Sequence, residues 1–396
     1  MQHTLSKYIV RIAENVLEED LKSGQAILLV GARQVGKTKL IRRMLEFGKT
    51  VFLDFDLETD QERFLAAASQ PAKGAADSFE NPDFLVMDNA QRLPESVRIV
   101  KQWHKSGFPA KCVLMACPCF LPTGLPVDKT EEIDRKRILP PLTFWEIVRA
   151  QPWYLSAFGP DGMKEHFASQ LESLLLDCMA YGHYPETLYA SDKSSYLTNL
   201  VSSMLWKDLL LMGHRKTADI LRLILTLVVH QTEADVSINE LSKRSGLARA
   251  TVERYLEQLE QAFVIFRLPA FHSDPRREIC KSQKVFFWDT GIRNAFLNDF
   301  SAHPLRSDIQ SLWENWVVAE FARQNVLSGL KRQLFFWRSR SGAEVHLIVR
   351  TDERLNAFEI HWNPQKASVR GFSKRYGVPV RVIDRTRPLF QIDSLK

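Results

Sequence analysis

One stretch constrains this chain more than any other: Gly31-Ala32-Arg33-Gln34-Val35-Gly36-Lys37-Thr38. It follows the apolar run Ala26-Ile27-Leu28-Leu29-Val30 and opens into Lys39-Leu40-Ile41-Arg42-Arg43-Met44-Leu45, which reads as an amphipathic helix. A buried strand, a glycine-bounded loop and a helix, in that order, form the setting a phosphate-binding loop requires. The glycines let the backbone curl so that its N–H groups face phosphate, and the helix N-terminus adds a favourable dipole. Lys37 is placed to reach the β- and γ-phosphates, and the Thr38 hydroxyl to hold magnesium. The expected ligands are therefore the phosphates of a nucleotide and Mg²⁺.

The flanking pattern extends this reading into an α/β domain. Residues 6–21 carry apolar side chains at helical spacing, residues 50–57 read as a second strand, 61–67 as helix and 72–77 as loop. Phe84-Leu85-Val86-Met87-Asp88 is a buried strand ending in an acid. A carboxylate at that strand end, downstream of a complete phosphate loop, is the second magnesium-holding group. Lys111-Cys112-Val113-Leu114-Met115-Ala116 supplies another buried strand. Alternation of strands and helices predicts a parallel sheet with its ligand at the carboxyl ends of the strands.

The phosphate loop, the strand bearing Asp54 and Asp56, and Asp88-Asn89-Ala90-Gln91-Arg92-Leu93-Pro94 together resemble a group of prokaryotic AAA-superfamily ATPases with a C-terminal domain of unknown function. In that family the residue after the magnesium aspartate is a glutamate that polarises the attacking water. Here it is Asn89, which can orient a water but cannot accept its proton. The resemblance therefore implies ATP binding with slow or absent hydrolysis, and a role as a nucleotide-dependent switch. A rival reading is a working ATPase using another carboxylate, such as Asp54, Asp56 or Glu95. The family's polar sensor position falls at Met115-Ala116-Cys117. Its arginine position falls near Arg135 and Arg137, which are either an arginine finger acting in trans or a solvated basic cluster with Lys136.

A chain of 396 residues suggests two or three domains. The resemblance and the motifs divide it into a nucleotide-binding domain (1–139), a helical region (140–230), a winged-helix domain (231–300) and a degenerate restriction-nuclease-like domain (301–396). Pro140-Pro141 marks the first boundary. In the helical region, Tyr181-Gly182-His183-Tyr184-Pro185-Glu186 and Lys207-Asp208-Leu209 resemble family segments, and the lone His183 reads as structural. Residues 237–259 have the pattern of a helix-turn-helix, with Ser237 and Glu240 forming a capping box; residues 263–268 and 284–288 supply two wing strands. Asp289-Thr290-Gly291 is again a family match.

Charge leaves the partner of this region open. Arg249 and Arg254 face Glu253, Glu257 and Glu260 on the second helix, a net −1, whereas residues 243–284 hold nine basic and five acidic groups, a net +4 that includes Arg276 and Arg277. DNA contact through Arg249, Arg254, Arg276 and Arg277 is one reading; an interdomain or protein contact is the other.

Beyond it, the helix of residues 312–321 reads as amphipathic, and strands are expected at 334–337, 345–349 and 357–360. The nuclease resemblance pairs Glu344-Val345-His346 with Glu359-Ile360-His361. Histidines stand where that family has an aspartate and a lysine, so nuclease activity is not expected. His346, Glu359 and His361 are either a different metal site or groups on an inert scaffold. The net charge of +6 is a mild basic excess. The five scattered cysteines read as reduced thiols. The absence of an apolar run long enough to span a bilayer argues against a membrane segment and for a cytoplasmic protein, with homo-oligomerisation left open.

Overall fold

The computed structural model describes residues 8–24, 26–117, 135–203, 215–229, 238–272, 283–328, 332–339, 342–352 and 354–386. The Ser237 cap, Lys207-Asp208-Leu209, Arg276 and Arg277 lie outside them. The chain divides into two compact units, Met1–Pro140 with Val326–Ser328, and Pro141–Asn325 with Gly329–Lys396.

The first unit runs α1 (Ala13–Ser23), β1 (Ile27–Val30), α2 (Lys37–Met44), β2 (Thr50–Asp54), α3 (Glu58–Ala68), α4 (Ala72–Ser78), β3 (Phe84–Asp88), α5 (Ser96–Lys105), β4 (Lys111–Ala116) and β5 (Arg135–Ile138). The strands form one parallel sheet in the order β2-β3-β4-β1-β5. β1 is buried along its whole length, as a strand covered on both faces must be. Three details depart from the sequence pattern. α1 starts at Ala13 because residues 8–12 bury Ile9 and Arg11 outside any helix. Residues 72–78 are helix, not loop: Pro71 precedes a turn in which Ala75 and Ala76 are fully buried, and that packing outweighs the cost of Gly74. β5 is an additional strand, hard to read as one because Arg135-Lys136-Arg137 are polar and sit at a sheet edge.

The second unit begins with α6 (Phe144–Arg149), α7 (Gly159–His166), α8 (Ala168–Tyr181), α9 (Lys193–Ser203) and α10 (Arg215–Val229). Next come α11 (Ile238–Ser245), α12 (Arg249–Gln261) and an antiparallel pair, β6 (Ile265–Pro269) with β7 (Gln283–Phe287). It ends with α13 (Thr290–Leu297), α14 (Ile309–Ser328), β8 (Gln333–Arg338), β9 (Glu344–Arg350), β10 (Leu355–Ile360), α15 (Arg370–Tyr376) and β11 (Val380–Ile383). The sheet order is β11-β10-β9-β8, antiparallel except for the β10–β11 pair, whose connection carries α15.

Two features hold this unit together. Asp289 caps α13 through the Ile292 N–H and also accepts the His183 N–H at 2.6 Å. The His183 ring bonds the Leu142 carbonyl at 2.7 Å through Nδ1 and accepts from the Trp316 indole at 2.8 Å through Nε2. Burial, and then the charge of Arg323, hold its pKa well below the ordinary value, so it is a neutral structural group. The second feature is α14, whose residues 311–323 are buried almost without a break. It is thus a central helix and not an amphipathic one, and Glu314, Glu320 and Arg323 are accommodated inside by pairing.

Candidate functional site

The phosphate loop joins the carboxyl end of β1 to α2. Gly31 lies so close to the Leu139 carbonyl that a Cβ would stand 2.4 Å from its oxygen, which explains why the strand must end on glycine. Gly36 has φ 96°, a value that favours glycine, and serves as N-cap of α2, a cap that brings no side chain of its own to the helix end. A helix N-terminus following a glycine-bounded loop is the type of backbone setting that suits phosphate. The Lys37 ammonium donates to the carbonyls of Gly31 and Ala32 at 2.8 and 2.9 Å. Beneath the loop the buried Arg11 guanidinium donates to the Val35 carbonyl at 2.9 Å and the Pro140 carbonyl at 2.7 Å, fixing both sides of the turn. Arg11 is a positioning residue that no motif signals; only the fold brings it here.

β4 separates β1 from β3 in the sheet, yet Thr38 on α2 reaches Asp88 at the end of β3, with Thr38 Oγ1 donating to Asp88 Oδ2 at 2.7 Å. A hydroxyl and a carboxylate oxygen at that separation are a hard-oxygen pair suited to Mg²⁺. The residues present therefore fit a magnesium nucleotide, with Gly31 to Thr38 as the cradle, Lys37 as phosphate ligand, and Thr38 and Asp88 toward the metal. Bound Mg²⁺ would supply charge neutralisation across the phosphates.

Asn89 adopts a left-handed conformation with φ 55°. Its amide is used on both sides: Nδ2 donates to Asp54 Oδ1 at 2.9 Å, and Oδ1 accepts from Gln91 Nε2 at 3.2 Å. Gln91 in turn accepts the Cys117 backbone N–H at 3.0 Å. Asp54 is the Cα partner of Asp88 across the β2–β3 ladder. Asp56 pairs with Arg92 at 2.8 Å.

Arg135 is not brought to this site within the chain. It is the Cα partner of Ile27, the first residue of β1, whereas the loop follows the last. Its guanidinium lies 3.6 Å from Asp20, which Arg137 also binds through two hydrogen bonds of 2.6 and 2.9 Å. The basic cluster is thereby tied to α1.

On α12, Val252, Tyr255, Leu256 and Leu259 are buried, and Arg249 and Arg254 are exposed. Arg267 on β6 binds Glu260 and Glu253, each at 2.6 Å.

In the C-terminal sheet, Glu359 accepts the backbone N–H groups of Ser368 and Val369 at 2.8 and 2.7 Å, and His361 lies 3.1 Å from it. Burial opposes ionisation of Glu359, but these bonds hold its pKa below the ordinary value. His346 Nδ1 accepts the Ile360 N–H at 3.0 Å. Among the described residues no three His, Cys, Asp or Glu side chains form a group that could hold a metal. Glu359 organises the chain entering α15, a structural use of the carboxylate. Nearby, burial works against the charge of Lys284, but Glu314 and Glu344 outweigh it and keep the ammonium protonated.

A parallel sheet, a glycine-bounded loop at the carboxyl end of β1 and the Thr38–Asp88 pair define a P-loop nucleotide-binding domain. Residues 23–148 match the family model described as an AAA domain, residues 172–303 a domain of unknown function (DUF8612), and residues 310–387 a second one (DUF4143). The chain carries an AAA-type P-loop ATPase domain followed by a C-terminal domain of unknown function. It is similar to the uncharacterized proteins Rv2008c of Mycobacterium tuberculosis and Mb2031c of Mycobacterium bovis, each 23% identical over 347 residues, which is 87% of this chain and 72% of theirs. Among solved structures, the Walker-type ATPase PABY2304 of Pyrococcus abyssi is 13% identical, with 72% of this chain and 94% of that one covered and a TM-score of 0.46. The Aeropyrum pernix ORC1 protein, solved in complex with DNA, is 12% identical, with 74% and 94% covered and a TM-score of 0.32. Among the described residues no helix is long and apolar enough to cross a membrane.

Proposed function

We propose that this chain is a cytoplasmic ATP- and Mg²⁺-binding switch whose turnover is slow and whose bound nucleotide governs the C-terminal half. The observation that carries the reading is the 2.7 Å bond from Thr38 to Asp88, which puts a hydroxyl and a carboxylate, the two groups a magnesium nucleotide needs, side by side next to the glycine-bounded loop. Asn89 supports slow turnover: its amide cannot take a proton from water, and its two ends are occupied by Asp54 and Gln91. Titration with a fluorescent ATP analogue tests the reading. Mg²⁺ is expected to tighten binding roughly tenfold or more, and Asp88→Ala to abolish that gain. Equal Mg²⁺ dependence in both proteins would rule out the metal assignment.

A second reading, DNA contact through α12, is favoured by the Arg267 ion pairs. Because Glu253 and Glu260 are bound by Arg267, the carboxylates counted against phosphate are partly neutralised. Arg249 and Arg254 then face solvent with only Glu257 opposing them. On the winged-helix reading, duplex binding weakens with salt, and the Arg249→Ala/Arg254→Ala variant lowers the log–log salt slope by about 1 to 2. An unchanged slope would remove α12 from the interface.

A further inference from the structure

Hydrolysis at this loop needs a group to receive the proton of the attacking water, and residue 89 is not one. Four other carboxylates lie at the carboxyl ends of β2 and β3 or in the residues just after β2. Asp88 already accepts from Thr38 and from the Asn89 N–H. Asp56 is paired with Arg92, and Asp60 accepts the Asp54 N–H at 2.7 Å. Asp54 is different. It ends β2 directly beside Asp88, it is half-buried, and both bonds that its carboxylate accepts, from Asn89 Nδ2 and the Asp56 N–H, fall on Oδ1. Oδ2 has no hydrogen bond among the described residues.

The orientation of the Asn89 amide is not arbitrary. The Cys117 backbone N–H can only donate, so it fixes the Gln91 oxygen toward β4 and turns the Gln91 NH₂ group toward Asn89. That group can only donate as well, so the Asn89 oxygen must receive it. The Asn89 NH₂ is thereby directed to Asp54. A relay from the end of β4 across β3 to β2 holds one carboxylate in place.

We infer that Asp54 is the general base of this site and Asn89 the residue that positions it, so that the carboxylate stands on β2 instead of at the end of β3. The step balances with ATP, water and Mg²⁺. The water oxygen forms a bond to the γ-phosphorus, and the bond from that phosphorus to the β,γ-bridging oxygen breaks. ADP leaves with the electron pair, and the water proton passes to Asp54 Oδ2 and then to solvent. The slow turnover of the proposed function is the rate this arrangement sustains, and the inference rests on ATP binding at the loop.

The test uses the full chain as wild type, Asp54→Asn, Asp54→Asn/Asn89→Asp and Lys37→Ala. Fluorescent-ATP affinity, single-turnover phosphate release and the side-chain amide NMR signal of Asn89 are measured together. Asp54→Asn is expected to keep its affinity within about twofold, to shift the Asn89 amide signal, and to lose phosphate release by ~10²-fold or more. The exchanged pair, with the carboxylate on β3, recovers part of that release. Release by Asp54→Asn at the wild-type rate overturns the inference, as does wild-type release no higher than that of Lys37→Ala while ATP still binds. Absence of ATP binding by the wild type is a separate result, and it overturns the nucleotide reading along with this one. Should Asp54→Asn not fold, Asn89→Ala replaces it: release falls with affinity retained if Asn89 positions the base, and stays at the wild-type rate if it does not.

Discussion

Lys37→Ala is expected to weaken ATP binding about 30- to 1000-fold while leaving the fold intact. The lysine donates to two loop carbonyls, Gly31 and Ala32, at 2.8 and 2.9 Å. Neutral acceptors of this kind contribute about 0.5–1.5 kcal/mol each to stability, so the free protein loses little when they are removed. On the proposed nucleotide reading, the same ammonium would instead make charge-assisted bonds to a triphosphate. Removing it costs roughly 2–4 kcal/mol of binding, which is the stated range in affinity. Calorimetric titration of ATP with Mg²⁺ measures the change, and thermal melting checks the fold. Affinity within threefold of wild type would mean that nucleotide does not sit on this loop. Both variants that address the metal pair and the base leave Lys37 in place, so the three expected effects separate: Lys37→Ala acts on affinity, Asp88→Ala on its Mg²⁺ dependence, and Asp54→Asn on turnover.

The parts of this site that were legible in the sequence are those that are local. The loop needs residues at fixed spacing between one strand and one helix, and Asp88 needs only to end an apolar run. The parts that were not legible depend on strand order. That Thr38 and Asp88 share one magnesium was implied by the motifs, but the separation at which they meet is set by β4, which inserts between β1 and β3. Asp54 acquires its place from the β2–β3 register; the sequence offered it as an alternative carboxylate beside Asp56 and Glu95, with nothing to choose among the three. Arg11 precedes the first helix and touches the loop across the fold, so no periodicity could mark it.

The same division applies to the elements. Apolar strands and the helices around them followed their patterns, since burial on both faces leaves a continuous hydrophobic run. Those decided by tertiary contact did not. Residues 72–78 are helical because two alanines are buried, and β5 is a strand because an open edge of the sheet accepts it. For α12 the sequence count of −1 was correct as arithmetic and incomplete as electrostatics. The counter-charge, Arg267, comes from the following strand and binds two of the three acids.

The largest stability effect is expected at Arg323. Its guanidinium and the Glu320 carboxylate are both almost completely buried, with N–O distances of 2.8 and 3.2 Å. The pair is also a junction. Glu320 accepts the Phe144 N–H that opens α6 and the Gln324 amide, while Arg323 donates to the Trp288 carbonyl at 2.8 Å. Arg323→Ala removes the cation, leaves a carboxylate buried without it and strips the Trp288 carbonyl of a donor. Breaking a buried pair in this way costs about 3–5 kcal/mol. Because the penalty arises chiefly from the surviving charge, Glu320→Gln added to Arg323→Ala is expected to recover part of the loss, as the amide still accepts the Phe144 N–H. Urea unfolding followed by tryptophan fluorescence reports on this region, since Trp313 and Trp316 stack at 5.3 Å on the same helix. A loss below about 1 kcal/mol for Arg323→Ala, or a double variant less stable than the single one, would show that the stability of this unit does not depend on neutralising Glu320.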